Sequence, residues 1–221
     1  MRSSGQYGLR RATSRRRLDS EPEVWRPGDA AAMARNFDQP VRSGNDLFAL
    51  TLRQTRVLKG ELGDDDFRRR EGLPTYEVED RLQEWLARYF DERSKEQYSV
   101  HREVLVAYGK KPDLRLESPP HPPTSIEVKW ADNWTYRQLS EALSDQLVGR
   151  YMRARRSRHG VLLLGWRGKK NHWRLPGGSR VTFPELIEHL RTEAKGILDD
   201  RWDIDGLMVV GIDFSDGADF R

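Results

Sequence analysis

Three charged residues hold the strongest chemical signal in this chain. Asp113 follows Pro112, and Glu127 and Lys129 flank Val128. Residues 125–131 read as a strand, rich in β-branched and apolar residues and free of glycine and proline. Side chains alternate along a strand, so Glu127 and Lys129 share one face while Ile126, Val128 and Trp130 pack on the other. Charged groups that face inward are costly unless they are paired or bind an ion. Asp113 opens the neighbouring strand, residues 113–117, so all three groups can meet at one edge of a sheet. Carboxylate oxygens suit Mg²⁺, which takes one or two of them and keeps several waters. The alternative is a salt bridge among Asp113, Glu127 and Lys129 with no chemistry attached.

The elements that must position these groups are legible from periodicity and turn chemistry. Leu47, Leu50, Leu52, Val57 and Leu58 line a short helix within a lead-in over 41–73. Thr75 is expected to cap a helix whose apolar side holds Leu82, Trp85, Leu86, Tyr89 and Phe90. Glu79 lies three and seven residues before Leu82 and Leu86, so it shares their face. Glu77 and Glu84 fit that face less well. A strand over 98–108 follows, and Glu103 is an isolated acid within it. Four prolines in 118–123 forbid regular structure there. Thr135 and Gln138 form a capping box that opens a helix to about Arg156, with Leu139, Leu143, Leu147 and Tyr151 on one side. Residues 161–164 read as a strand covered on both faces. Thr182 and Glu185 cap a last helix to about Leu198, and a buried strand runs over 207–212. Three strands with short links predict an antiparallel meander, and two strands that follow helices predict crossovers. The expected class is α/β, a central mixed sheet flanked by helices.

The order Pro112-Asp113, a Pro-rich hairpin, then Glu127-x-Lys129 resembles the PD-(D/E)xK nuclease superfamily over about residues 75–165. The resemblance implies a three-layer, restriction-endonuclease-like domain over 74–215. It also implies a metal-dependent hydrolase that cuts phosphodiester bonds of nucleic acid, with DNA the expected substrate. In that superfamily the aspartate and glutamate, here Asp113 and Glu127, hold Mg²⁺ or Mn²⁺, and the lysine, here Lys129, orients or activates a water. An acid from the preceding helix often joins them, and Glu79 is the best candidate; plain stabilisation of a helix start is its other reading. Some members keep a glutamine on the following helix with a tyrosine four residues on. Gln146 matches the first, but Arg150 stands at the fourth position and Tyr151 at the fifth. The segment from Ile126 to Met152 is similar to nuclease-like tails of larger bacterial proteins. That implies a defence, repair or mobile-element setting, and a larger protein complex or a homodimer. A non-catalytic nucleic-acid-binding or interaction domain with the same fold is the competing expectation.

Composition narrows the remaining classes. The chain has 221 residues, 33% of them charged, and no cysteine, which excludes thiol nucleophiles and cysteine-ligated metal sites. Its net charge is only +4, but the charge is unevenly distributed. Between Asp145 and Glu185 there is no acid, whereas Arg150, Arg153, Arg155, Arg156, Arg158, Arg167, Lys169, Lys170 and Arg174 all fall there. Such a zone suits phosphate contacts that position nucleic acid without reading its sequence. Arg150 to Arg158 are expected to follow the inner face of the helix, and Trp166, His172 and Trp173 either stack on bases or pack in the core. Residues 1–40 read as a basic, poorly ordered extension. No apolar run is long enough to span a membrane, and the expected location is the cytoplasm.

Overall fold

The computed structural model describes residues 40–63, 78–102, 111–153 and 156–215. Helix α1, Gly44–Gly63, buries Leu47, Leu50, Leu58 and Leu62. Helix α2, Glu79–Glu92, buries Leu82, Leu86, Tyr89 and Phe90, the face predicted for it. Its first residue is Glu79, so the helix starts later than a cap at Thr75 requires; Thr75 and Glu77 lie outside the described residues. Strands β1 (Ser99–Arg102), β2 (Leu114–Glu117) and β3 (Thr124–Trp130) follow. The rest of the predicted first strand, Glu103 included, lies outside the described residues.

After β3 the chain turns through a short 3-10 segment, Ala131–Asn133, into helix α3, Tyr136–Glu141. The predicted capping box is present: Gln138 N–H donates to Thr135 Oγ1 at 3.3 Å, and Thr135 N–H donates to Gln138 Oε1 at 2.9 Å. The helix then changes register. Residues Ala142–Tyr151 form a π-helix that ends on an i→i+5 bond from Met152 N–H to the Leu147 carbonyl at 3.1 Å. Strand β4 (His159–Trp166), a small hairpin of β5 (Trp173–Arg174) and β6 (Arg180–Val181), helix α4 (Phe183–Asp200) and strand β7 (Gly206–Asp213) complete the chain. Thr182 and Glu185 cap α4 reciprocally, as their spacing predicts.

The main sheet has the order β1-β2-β3-β4-β7. β1, β2 and β3 are antiparallel, and β3, β4 and β7 are parallel. This is the predicted combination of meander and crossovers, a mixed α/β architecture. Each side of the sheet carries its own apolar cluster. Ile126, Val128, Trp130, Val161 and Leu163 pack with residues of α1 and α2. Leu162, Leu164, Leu207 and Val209 pack with residues of α3, the π-helix and α4. Helix α1 therefore belongs to the same core as the sheet, and the chain from Val41 onward clusters as one unit.

Candidate active site

The site forms where the sheet opens. β2 pairs with β3 only from Leu114↔Ile126 to Leu116↔Thr124, so the C-terminal half of β3 has no β2 partner. Carboxylates take the backbone donors left there. Val128 N–H donates to Asp113 Oδ2 at 2.7 Å, and Trp130 N–H donates to Glu79 Oε1 at 3.2 Å. An unsatisfied buried donor costs roughly 1–3 kcal/mol, so the strand itself fixes both acids. Asp113 arrives from the start of β2. Glu79 arrives from the first turn of α2, in the opposite helical layer.

Glu127 and Lys129 pair across the ladder with Leu162 and Leu164, so all four face the π-helix side of the sheet. Strand alternation predicts this, and Ile126, Val128 and Trp130 pack on the other face. Toward β1 that side stays polar: His101, Arg115 and Ser125 are successive register partners.

Lys129 Nζ stands among the acids, 2.8 Å from Glu127 Oε1, 3.4 Å from Glu79 Oε2 and 3.7 Å from Asp113 Oδ2. Three carboxylates thus share one ammonium. Glu127 is only 2% exposed, and its Oε2 is buried with no hydrogen-bond partner. Burial, with the charge of Asp113 added, pushes the Glu127 pKa up to about 7. Burial also raises that of Asp113. Burial opposes the charge on Lys129, but Glu127, Asp113 and Glu79 together outweigh it and hold the ammonium protonated. The pocket therefore holds more negative charge than its own lysine neutralises, and one carboxylate oxygen with nothing to bind.

Those features fit a hard divalent cation on Asp113 and Glu127. Glu79 is less available, because its Oε1 also accepts the indole N–H of Trp134. Among the described residues, no three His, Cys, Asp or Glu side chains already stand as a metal-binding group.

Tyr151 also belongs to this site. Burial raises the pKa of its phenol, and the charges of Glu127 and Asp113 raise it further. Sequence spacing alone puts Tyr151 one residue too far from Gln146 for a common helical face. The π-helix removes that discrepancy, because its bonds close at i→i+5 and residues five apart align as residues four apart do in an α-helix. Gln146 is half-buried on this turn.

Trp134 went unnoticed in the sequence. Besides holding Glu79, its ring centroid lies 5.4 Å from Lys129 Nζ. Asp132 sets the corner that presents it. The Asp132 carboxylate accepts the backbone N–H groups of Arg167, Lys169 and Lys170 at 2.9, 2.8 and 3.1 Å. A lone tryptophan between a charged strand and a helix cap was the available signal.

The basic zone is not a continuation of the helix. The π-helix ends at Tyr151, so Arg153, Arg156 and Arg158 lie beyond it, and Arg150 is exposed rather than inward-facing. Arg155 lies outside the described residues. Arg158 is paired with Asp205 at 2.7 Å and donates to the Trp202 carbonyl. It precedes β4 and Lys129 pairs with Leu164, so about 20 Å of strand separates it from that end of the site. Lys169 is exposed, whereas Lys170 Nζ donates to the Trp134 carbonyl at 2.6 Å. Trp166 and Trp173 pack against Phe183, and His172 is exposed.

A separate cavity of about 540 Å³ lies beside β7, two strands away from β3, lined by Lys59, Phe183, Ile187, Glu188, Arg191 and Asp213 among others. Arg191 closes the open edge of β7 there by donating to the Val209 carbonyl at 3.0 Å. Comparisons with protein-family models, curated proteins and solved structures returned no significant match. Among the described residues, no helix is long and apolar enough to cross a membrane.

Proposed function

We propose that this chain is a metal-dependent nuclease of the PD-(D/E)xK type, with a restriction-endonuclease-like fold, that hydrolyses phosphodiester bonds of nucleic acid, DNA above all. The observation that carries this reading is the partnerless buried oxygen of Glu127, held beside Asp113 and Lys129 at a gap in the sheet. Asp113 and Glu127 would hold Mg²⁺ or Mn²⁺. When bound, the ion supplies Lewis-acid polarisation of the scissile phosphate and favours deprotonation of the attacking water. Lys129 offers a fixed ammonium to orient that water and offset charge developing on phosphorus-bound oxygen. Glu79, with Trp134 behind it, holds the ammonium in place. Tyr151 stands near these charges on the π-helix, five residues after Gln146.

A second reading has an observation of its own. Asp113 and Glu79 already accept backbone N–H groups, and Lys129 already bonds Glu127, as in a closed structural cluster. On that reading the domain binds nucleic acid or a partner protein without cutting.

The test is cleavage of supercoiled plasmid and labelled single strands by the full chain with Mg²⁺, Mn²⁺ or EDTA. Asp113→Asn and Lys129→Gln serve as variants that leave acceptors or bulk in place. Metal-dependent cutting by the wild type, lost in both folded variants, is expected. Folded wild type that binds nucleic acid equally with or without these substitutions, and never cuts, would sink the nuclease reading in favour of the second.

A further inference from the structure

Beside the acid cluster the surface opens into a hollow of about 540 Å³ lined by Val78, Glu79, Asn133, Trp134 and Gln138. Glu79 joins the two places, since its Oε2 is the atom 3.4 Å from Lys129 Nζ. The lining has a definite chemical character. Trp134 gives an aromatic wall. Val78 is 62% exposed and adds an aliphatic surface.

Asn133 and Gln138 add carboxamides whose orientation is fixed by their partners. Asn133 Oδ1 accepts from the Arg167 guanidinium at 2.7 Å, and Gln138 Oε1 accepts from Thr135 N–H at 2.9 Å. Both partners are donors only, so the oxygens are committed and the N–H₂ groups are what each amide has left to offer. Among the described residues, no lysine or arginine lines the hollow. The combination does not suit a phosphate. It suits a flat, apolar-faced ring that carries acceptor atoms on its edge, which describes a nucleobase.

We propose that the base of the nucleotide flanking the scissile phosphate leaves its stack and seats against Trp134 in this hollow. The inference rests on the nuclease reading and specifies its substrate. A base paired inside a duplex cannot enter, so the preferred substrate is single-stranded or frayed at the position cut. Trp134 is then a binding residue as well as the support of Glu79. Asn133 and Gln138 donate to the edge of the base.

The experiment is an abasic scan. Oligonucleotides with one abasic position each, stepped across the mapped cut site, are digested by wild type, Trp134→Ala and Trp134→Phe, and kcat/KM is compared with that of the intact strand. One position next to the cut should lower wild-type kcat/KM roughly 5- to 150-fold, the span of one lost stacking contact. Trp134→Ala should lose that sensitivity and Trp134→Phe, which keeps a ring but no N–H for Glu79, should retain it. Damage to Glu79 alone lowers cutting of intact and abasic strands together and leaves their ratio unchanged. Cutting with a flat scan, a scan unaltered in Trp134→Ala, or equal rates on fully paired duplex would overturn this inference while leaving the nuclease reading standing. Neither cutting nor binding of any nucleic acid would overturn both.

Discussion

Replacing Glu127 with glutamine should stabilise the protein in EDTA at alkaline pH. Glu127 faces Asp113, Lys129, Glu79 and Tyr151, and burial with the charge of Asp113 raises its pKa from 4.5 to about 7. At ~1.4 kcal/mol per pKa unit, the ionised carboxylate then costs the folded state about 3 kcal/mol relative to the protonated one. The sign follows from proton uptake. Between the two values the folded chain binds the proton more tightly than the unfolded chain, so stability is full below about pH 4.5 and falls as pH rises through about 7. Glutamine keeps the shape and an acceptor for Lys129 but never ionises. Urea unfolding of wild type and Glu127→Gln at about pH 5 and pH 8 measures the effect. The variant should gain up to about 3 kcal/mol on the wild type between those conditions. Millimolar Mg²⁺ or Mn²⁺ should restore the wild type at the higher pH and leave the variant unchanged. A variant no more stable at pH 8 than at pH 5, relative to wild type, would refute the claim that the site holds surplus negative charge.

Four other perturbations test the frame around the site. Alanine at Gly165 puts a Cβ 2.7 Å from Trp130 Cζ3; overpacking there should cost ~1–3 kcal/mol in urea unfolding. At Gly196, on an open side of α4 with no atom within 4 Å of the added carbon, alanine should stabilise by ~0.5–1 kcal/mol. Asp132→Ala removes the acceptor of three backbone donors beside the buried Arg167 guanidinium, and a loss of ~3–5 kcal/mol is expected. Burial holds His159 below its ordinary pKa, with Arg158 acting the same way and Asp205 against it. The folded chain then takes up its proton later than the unfolded chain, so stability is lost as pH falls below about 6.5. Thermal unfolding of His159→Gln should lack that component; an identical acid slope in both proteins would exclude it.

The centre of the site was legible because a strand has a fixed period. Alternation alone put Glu127 and Lys129 on one side of Val128, and helical spacing alone aimed Glu79 inward beside Leu82 and Leu86. What stayed hidden depends on where elements end and how they wind. The i→i+5 register from Ala142 to Tyr151 has no signature in residue types, so the five-residue spacing of Gln146 and Tyr151 does not read as one helical face in the sequence. The same helix stops before Arg153, and a run of arginines says nothing about the turn that strips them from a face. Trp134 acquires its role only through Asp132, which folds a distant backbone segment against the corner.

The gap beside β3 has a consequence for reading related chains. Asp113 and Glu79 act there as a surrogate strand, each accepting a backbone donor that β2 no longer reaches. Selection for folding alone would keep an acid at both positions after any activity had lapsed. Glu127 is different: its spare oxygen serves no backbone group, and its charge works against the fold. A homologue that keeps Asp113 and Glu79 but carries glutamine or leucine at 127 would be an inherited shell. Persistence of glutamate at 127 among homologues would instead point to the chemistry proposed for this site.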